Sequence, residues 1–286
     1  MRHGGLATMN ASVPTGRPPA RRVVSRQEVV RLDAGVRTMR TEALAGEEPM
    51  EIRVDGAPVA VTMRTPGNDF ELALGFCVTE GILAADDVSA IRYCDGSTAA
   101  EYNVVDVRRR VPGEIDEKLR RNVYTTSSCG VCGTTSIESV AKQCPSAAGD
   151  HTSFTAAAIL AMPDALRRQQ RVFERTGGLH AAAVFTPEAD VVCQREDVGR
   201  HNAVDKVIGW AAMGGALPLN GQALFVSGRV AFEIVQKAAT AGIPVVAAVS
   251  APTSLAVELA ASLGVTLAGF VRGESMNVYT CAQRVV

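Results

Sequence analysis

The strongest constraint on the fold is a regular alternation of apolar strands and helices in the second half of the chain. Short apolar runs at 223–226, 244–249 and 266–271 predict buried strands. The segments between them predict helices at 232–241 and 254–263. Helices and strands that alternate at this spacing form a layered sheet covered by helices. We therefore predict an α/β arrangement for this half.

The same alternation extends upstream of these strands. Gly177 ends a predicted helix, because glycine is common just past a helix C-terminus. Asn202 is interpreted as the residue that caps the following helix. The predicted elements are a helix at 163–175, strands at 181–185 and 191–193, and a helix at 202–212.

The first part of the chain predicts a smaller unit. Asp55-Gly56 lies between two apolar runs and is a strong signal for a two-residue hairpin. Asn68, with Glu71 three residues later, is typical of a helix N-terminus, and we expect that helix to run to about Thr79. The predicted strands lie at 50–54, 58–63, 91–94 and 102–107.

These changes of pattern divide the chain into four parts. Residues 1–25 are rich in Arg, Pro and Gly and predict a disordered tail. Residues 26–122 form a predicted small α+β domain, and residues 123–136 form a predicted mobile loop crowded with Ser, Thr and Gly. Residues 137–286 form the predicted C-terminal domain. The predicted fold class is therefore α/β, and α+β overall.

The composition excludes several classes of function. The net charge is -1 and aromatic residues make up 5% of the chain, so we expect no broad nucleic-acid surface. The seven cysteines have no regular spacing, which argues against a secreted disulfide framework. The sequence contains neither a secretory signal pattern nor an apolar run of roughly 18 residues. We predict a cytoplasmic protein that binds neither nucleic acid nor membrane.

Cys129 and Cys132 are the residues best suited to carry chemistry. They lie in a loop that leads into a predicted helix, and the positive end of a helix favours a thiolate. Such a pair can cycle between dithiol and disulfide, provide half of a zinc site, or carry sulfur on one thiol. It can also be a chance structural pair, although inert cysteines are usually buried.

Two of these uses have weak support. A structural zinc site needs four ligands, and the five other cysteines are isolated, with no second Cys-x-x-Cys motif. A thioredoxin-like motif follows an early strand of a small domain, whereas this motif lies in the middle of the chain.

Arg200 and His201 belong to a segment at 195–206 that is dense in ionisable residues. A glycine and an asparagine in it precede a predicted helix, whose free backbone N–H groups attract anions, and both side chains would add positive charge. A capped, solvated turn with internal ion pairs explains the segment equally well.

Two further polar segments stand between a strand and a helix. Ser227-Gly228-Arg229 is one, and 250–254 is the other. Ligands of open α/β sheets bind at such carboxyl ends of strands. Serine and threonine are also ordinary helix caps, so each segment alone is a weak signal.

His180 and the segment after the last predicted strand complete the candidates. His180 follows two glycines, which allow a ligand close to the backbone, although a lone histidine before a strand is more often structural. The last segment is suited to a nucleotide or a pterin, although a hairpin turn is the simpler interpretation. Its residues are Phe270, Val271, Arg272, Gly273, Glu274 and Ser275.

Six sequence blocks, in this order, resemble the formate dehydrogenase accessory sulfurtransferase family, the FdhD/NarQ family. The similarity spans about residues 47–284. The blocks are SSCGVCG at 127–133, TGGLHAA at 176–182, EDVGRHNAVDK at 196–206, SGR at 227–229, AGIPVVAAVSAPTSLAVELA at 241–260 and GFVRGESMNVYT at 269–280.

The resemblance implies a sulfur carrier. Proteins of this family take sulfane sulfur from a cysteine desulfurase, hold it as a cysteine persulfide, and pass it to the molybdenum or tungsten bis(molybdopterin guanine dinucleotide) cofactor of formate dehydrogenase. By position, Cys129 matches the persulfide cysteine, Cys132 the second cysteine of the loop, and Phe270–Ser275 the segment that contacts the cofactor. The family also implies a homodimer.

The resemblance further implies a C-terminal domain with a three-layer, cytidine deaminase-like fold. Deaminases pair a zinc-binding His or Cys with a Glu two residues on and a later Pro-Cys-x-x-Cys. Here His180 is followed by two alanines, and no Pro-Cys-x-x-Cys occurs. We therefore predict no intrinsic metal, and the cofactor is expected as a bound substrate.

The residues and the resemblance lead to one hypothesis. The thiolate of Cys129 takes sulfur by exchange, and the loop then enters a crevice where Arg200, His201 and Arg229 hold the phosphates of the cofactor. Three other classes stay open at this point: a dithiol-disulfide oxidoreductase, a cofactor-binding chaperone without sulfur chemistry, and a nucleotide-binding protein with a structural metal.

Overall fold

The computed structural model describes residues 23–94, 103–113 and 144–286. In chain order, its helices and strands are β1 (Val24–Asp33), β2 (Val36–Ala45), β3 (Glu48–Val54), β4 (Ala57–Arg64), α1 (Asp69–Thr79), β5 (Val88–Tyr93), β6 (Val104–Arg109), α2 (Ala156–Gln169), α3 (Arg171–Thr176), β7 (His180–Phe185), β8 (Val191–Asp197), α4 (Arg200–Met213), β9 (Ala223–Val226), α5 (Phe232–Thr240), β10 (Val245–Ala248), α6 (Ser254–Leu263), β11 (Thr266–Arg272) and β12 (Ser275–Thr280).

A six-stranded sheet forms the centre of the C-terminal part, in the order β12-β11-β10-β9-β7-β8. Strands β9, β10 and β11 are parallel to one another, whereas β7 is antiparallel to both of its neighbours. It follows that β8 has the same direction as β9, so β8, β9, β10 and β11 all end at one edge of the sheet. The mixture of helices and sheets confirms the predicted α/β class, α+β overall.

Apolar side chains cover both faces of this sheet, which makes three layers. On one face α4, α5 and α6 bury alternate strand residues such as Leu224 and Val246. On the other face α2 packs over Phe185 and Phe225. Burial on both faces explains why the strands appear in the sequence as unbroken apolar runs.

The N-terminal part is a four-stranded sheet, in the order β4-β3-β6-β5, with α1 on one face. The Asp55-Gly56 hairpin is confirmed: β3 and β4 pair antiparallel around it, and the φ angles of Asp55 and Gly56 are 49° and 82°. These positive values are those of the tight turns that favour the Asp-Gly pair.

A separate two-stranded hairpin, β1 and β2, precedes this sheet and was not predicted. Charged and apolar residues are mixed along both strands, and most of them are exposed, so the hydrophobic pattern is weak. Strand β1 begins at Val24, and therefore residues 24 and 25 belong to a strand and not to the predicted tail. The rest of that tail, residues 1–22, lies outside the described residues.

The predicted start of α1 directly after Asn68 is confirmed. One other predicted helix start and two predicted capping roles are wrong, for identifiable reasons. Helix α2 begins seven residues before the predicted position 163, because the Thr155 hydroxyl caps it by accepting a hydrogen bond from the Ala158 N–H at 3.0 Å. Asn68 precedes α1 but makes no side-chain cap. Asn202 lies inside α4, where its amide bonds to other groups described below.

Helices α1 and α4 cross in backbone contact and join the two parts of the molecule. A methyl group on Gly75 would lie 1.8 Å from the carbonyl oxygen of Asp205, and one on Gly209 would lie 1.8 Å from that of Glu71. Both contacts involve main-chain atoms, which no side-chain rotation can move aside. Only glycine at both positions permits this crossing.

The first prediction concerns this crossing. Gly209→Ala should lower the free energy of unfolding by about 1–3 kcal/mol or more, because the two helices must separate. Denaturant unfolding measures the loss. Gly214→Ala, just past the same helix, is the matched control: a methyl group there meets no atom nearer than 3.5 Å. Equal stability of the two variants would contradict the packing argument.

Candidate functional site

The predicted binding segments gather at one edge of the six-stranded sheet. Because β8, β9, β10 and β11 all end there, the residues that follow them meet along this edge. Strand β7 runs the other way, so its first residue, His180, lies at the same edge. The hairpin from β11 to β12 supplies the residues from Phe270 to Ser275.

One end of this edge brings together His180, Arg200 and Gly228. A methyl group on Gly228 would lie 3.2 Å from His180 Nδ1 and 3.7 Å from Arg200 Cδ. Ser227 fixes the adjoining strands: its N–H donates to the Ala181 carbonyl at 2.9 Å, and its hydroxyl accepts from the Ala181 N–H at 2.9 Å. Ser227 is thus engaged by the backbone, whereas Arg229 is exposed.

The other end is formed by the loop after β10 and by the β11–β12 hairpin. The Phe270 N–H donates to the Ser250 carbonyl at 3.2 Å. Phe270 has a φ angle of 53°, an uncommon conformation for a bulky residue, and the ladder between β11 and β12 is irregular here. Backbone strain of this kind concentrates at functional sites.

The side chains of the predicted 270–275 segment differ in their exposure to solvent. Arg272, Gly273, Glu274 and Ser275 are exposed at the hairpin. Val271 is fully buried in the apolar layer under α2, so its side chain cannot contact a ligand at the edge. The guanidinium of Arg272 lies 5.7 Å from the centre of the Phe270 ring.

The surroundings of His201 favour its neutral form at pH 7, against the expectation that it adds positive charge. Burial, together with the charges of Arg200 and Lys237, lowers the pKa of His201 to about 4. Burial and Arg200 also lower the pKa of His180. The buried atoms His201 Nε2 and Arg200 Nε have no hydrogen-bond partner within the described ranges. Arg200 therefore contributes the positive charge at this end of the edge, and the neutral imidazole of His201 contributes one hydrogen-bond donor and one acceptor.

A buried carboxylate, Asp197, fixes the start of α4 from which Arg200 and His201 project. Its Oδ1 accepts from the Gly199 N–H and from Asn202 Nδ2, at 2.8 and 3.0 Å. Its Oδ2 lies 2.6 Å from Lys206 Nζ. The amide of Asn202 is thus committed to Asp197 and to the Met63 carbonyl, which explains why it does not cap the helix.

A second buried network, which sequence reasoning missed, lies one turn further along α4. Lys237 Nζ is 2.9 Å from Asp205 and 2.7 Å from Glu80, and it donates to the Thr79 hydroxyl at 2.8 Å. Although burial opposes its charge, the two carboxylates raise the pKa of Lys237 above its ordinary value. The available signal was charged residues at core-facing positions of helices, Asp205 in α4 and Lys237 in α5.

The internal ion pairs expected of the 195–206 segment are present, although they are buried and not solvated, whereas its anion-binding role stays a prediction. Asp197, Asp205 and Lys206 are buried in ion pairs, as a structural role requires, and the Thr65 N–H and carbonyl join them across the two parts of the chain. Arg200 and His201 instead lie at the edge with the other candidate residues.

Cys129 and Cys132 lie outside the described residues, so their predicted role stays a prediction. Among the described cysteines, burial raises the pKa of Cys193 to about 11, and it also raises the pKa of Cys77 and Cys144. These three are poor sources of thiolate at neutral pH.

The described ranges contain no group of three or more His, Cys, Asp or Glu side chains placed to hold a metal ion. None of their helices combines the length and the apolar character needed to cross a membrane.

Comparison with known proteins gives a consistent family. The profile of the FdhD/NarQ family matches residues 45–286. The sulfur carrier protein FdhD of Streptomyces avermitilis is 54% identical, over 92% of this chain and 96% of its own length. The protein of the same name from Mycolicibacterium paratuberculosis is 55% identical, over 92% and 99%.

A solved structure shares the fold. It is a formate dehydrogenase accessory protein from Desulfotalea psychrophila, and it aligns with a TM-score of 0.73 at 24% identity. The alignment covers 92% of this chain and all of that protein.

The second prediction concerns His201. NMR titration of the four histidines, assigned with His201→Asn, should give His201 a pKa of about 4, below its ordinary 6.5. On acidification the unfolded chain takes up a proton on His201 near pH 6.5, whereas the folded chain does so only near pH 4. The contribution of the neutral imidazole to the free energy of unfolding is therefore full above pH 6.5 and is lost as the pH falls through 4.

Arg200→Gln should raise the pKa of His201, since it removes one positive neighbour. Arg229→Gln is the matched control, because Arg229 is exposed and is not among the charges that lower this pKa. A His201 pKa near 6.5 in the unmodified protein would contradict the buried, neutral assignment.

Proposed function

Because the chain belongs to the FdhD/NarQ family, we propose that it is a sulfur carrier required for formate dehydrogenase activity and that it acts as a sulfurtransferase. The observation that carries this proposal is the Cys129-x-x-Cys132 motif within a chain 54% identical to a sulfur carrier protein over 92% of its length. The poor nucleophilicity of the described cysteines Cys77, Cys144 and Cys193 also favours the motif as the sulfur-bearing site.

The first step of the proposed reaction is exchange at a persulfide. The thiolate of Cys129 attacks the terminal sulfur of a persulfide on a cysteine desulfurase. The sulfur–sulfur bond of the donor breaks, the desulfurase cysteine leaves as a thiolate, and Cys129 becomes the persulfide. Cys132 is the nearest second thiol in sequence, and its contribution is separable by mutation.

The second step delivers this sulfur to the bis(molybdopterin guanine dinucleotide) cofactor of molybdenum or tungsten, which is the substrate. In this proposal the cofactor binds along the edge formed by His180, Arg200, Gly228 and the 270–275 hairpin. The sulfur–sulfur bond of the Cys129 persulfide breaks and Cys129 leaves as a thiolate. The metal of the substrate supplies two electrons, which reduce the outer sulfur to a terminal sulfido ligand, and the metal is oxidised by two electrons in the same step. Formate dehydrogenase then receives the mature cofactor.

The edge has features that suit a large anionic substrate. Arg200 follows β8, Arg229 follows β9 and Arg272 ends β11, so all three lie at the edge where these strands end and where ligands of α/β sheets bind. Gly228 leaves room that any side chain would fill. Neighbouring strands are about 4.8 Å apart, so β9 and β11 place their segments roughly 10 Å from each other. An extended dinucleotide can span that distance.

We also propose that the carrier is a cytoplasmic homodimer, as the family resemblance implies. The competing function is a cofactor-binding chaperone that needs neither thiol, and it would use the same edge. A dithiol-disulfide oxidoreductase would need both cysteines. The experiments below separate these possibilities.

The third prediction tests sulfur loading. Incubation with a cysteine desulfurase and cysteine should add one sulfur atom to the protein in intact mass spectrometry, and a thiol should remove it. Cys129→Ala should abolish the adduct, because the attacking thiolate is gone. Cys144→Ala is the control, since the raised pKa of that thiol makes it a poor acceptor.

Each outcome of this experiment distinguishes one function. An adduct that survives in Cys129→Ala would refute the assignment of the carrier cysteine. No adduct on the unmodified protein, with an active desulfurase, would favour the chaperone. Equal loss of formate dehydrogenase activity in Cys129→Ala and Cys132→Ala, with no adduct, would favour the oxidoreductase.

The fourth prediction tests the binding edge. The double variant Arg200→Gln and Arg229→Gln should retain about tenfold less co-purified molybdenum or tungsten, because charge-assisted contacts to phosphates are lost. Metal analysis of the purified protein measures this quantity. Arg175→Gln, an exposed arginine on α3 that is not among the proposed contacts of the cofactor, is the matched control. Cofactor content equal to that control would place the phosphates elsewhere.

A further inference from the structure

A cavity of about 830 Å³ lies beside β8. Its walls come from β8, from the turn between α2 and α3, and from the 65–68 loop that follows β4. It includes none of the residues assigned to the cofactor. Its volume falls within the range of small-molecule sites, roughly 300–1,000 Å³.

Two arginines at this cavity are not neutralised by a partner. Arg168, near the end of α2, and Arg171, at the start of α3, are both exposed and have no ion pair or hydrogen bond within the described ranges. The other cations of the cavity are engaged: Arg195 pairs with Glu71, and Lys206 pairs with Asp197. The two free guanidinium groups favour an anion that carries acceptor oxygens.

The nearby carboxylate does not cancel this preference. Glu196 also lines the cavity, but its two oxygens accept from the Val172 and Phe173 N–H groups at 3.1 and 2.8 Å. Its charge is therefore held against the first turn of α3.

Neutral groups line the rest of the cavity. Trp210, the single tryptophan of the chain, and the apolar side chains of Val172 and Leu179 are part of it. The Gln194 amide also lines it, and its buried Nε2 has no hydrogen-bond partner within the described residues. Asn68, in the left-handed conformation with a φ angle of 57°, adds a second amide. This combination suits a ligand with both an anionic and an apolar end.

We infer that this cavity binds a small organic phosphate, with the phosphate on Arg168 and Arg171 and an apolar or aromatic group beside Trp210. Inorganic phosphate alone would leave most of the volume empty and would not contact the apolar wall. A neutral aromatic molecule would leave the two guanidinium groups without an anion. The inference does not depend on sulfur transfer, because the cavity shares no residue with the proposed carrier site.

Trp210 provides a direct measurement, since the intrinsic tryptophan fluorescence of the whole protein reports on this cavity alone. Phenyl phosphate is the probe, and it should change this fluorescence in a saturable way. Inorganic phosphate and benzyl alcohol, which represent the two ends of the ligand separately, should each bind at least tenfold more weakly. No saturable change with phenyl phosphate would overturn the inference.

The arginines have a matched control in Arg175, which lies on the same short helix as Arg171. The double variant Arg168→Gln and Arg171→Gln should weaken phenyl phosphate about tenfold, whereas Arg175→Gln, which does not line the cavity, should leave the affinity unchanged. Equal affinity in both variants would refute the role of the two arginines. All three are exposed, so folding should be retained, and the thermal unfolding midpoint checks this.

Two further readouts keep this inference separate from the proposed function. Sulfur loading on Cys129 and co-purified metal should be the same in the double variant as in the unmodified protein. If the double variant instead loses co-purified metal, the cavity belongs to the binding surface of the cofactor, and a separate site is excluded. Loss of sulfur loading in Cys129→Ala has no bearing on phenyl phosphate binding.

Discussion

The rest of the structure depends on the contact between α1 and α4, where two glycines bring helix backbones together. This contact buries charged residues of α4 against the N-terminal part of the chain, and each of them has a partner there or nearby. Lys206 meets Asp197 and the Thr65 carbonyl, and Asp205 meets the Thr79 hydroxyl. Removing one partner from a buried ion pair costs about 3–5 kcal/mol, because a charge stays buried alone. The bonds from α4 to Thr65 and Thr79, together with the ion pairs Arg195–Glu71 and Lys237–Glu80, therefore hold the two parts in one relative position.

That fixed position matters for the candidate site, because α4 begins at the sheet edge. The same helix carries Arg200 and His201 in its first turn and the buried ion pairs in the turns that follow. Burial is the main cause that lowers the pKa of His201, and Lys237 of the structural network adds to it after Arg200, so the network also contributes to the protonation of the site. Structure and chemistry are thus combined in one helix, which explains why its sequence is so rich in ionisable residues.

Local patterns in the sequence were sufficient wherever a single short-range cause determines the structure. The Asp55-Gly56 hairpin and the 254–263 helix follow from turn chemistry and from apolar periodicity. The prediction for Asn202 was wrong because its partner, the Met63 carbonyl, is 139 residues away in sequence. Likewise, the sequence pattern predicted a binding segment that contains Arg200 and His201. The lowered pKa of His201 results from burial and from Lys237, and only the tertiary structure brings Lys237 close.

Division of the chemistry between a loop and a rigid edge follows from what each task requires. A sulfur carrier has to expose a thiolate to a donor and then to an acceptor, and a buried cysteine such as Cys77 or Cys193 can do neither. Binding an anionic cofactor instead requires charges held in place, which the ends of parallel strands supply. The described edge has the arginines for the second task, and the first task is assigned to Cys129 in the proposal. In this proposal the Cys129 loop supplies the mobile thiol, and the edge supplies the fixed site to which the sulfur is delivered.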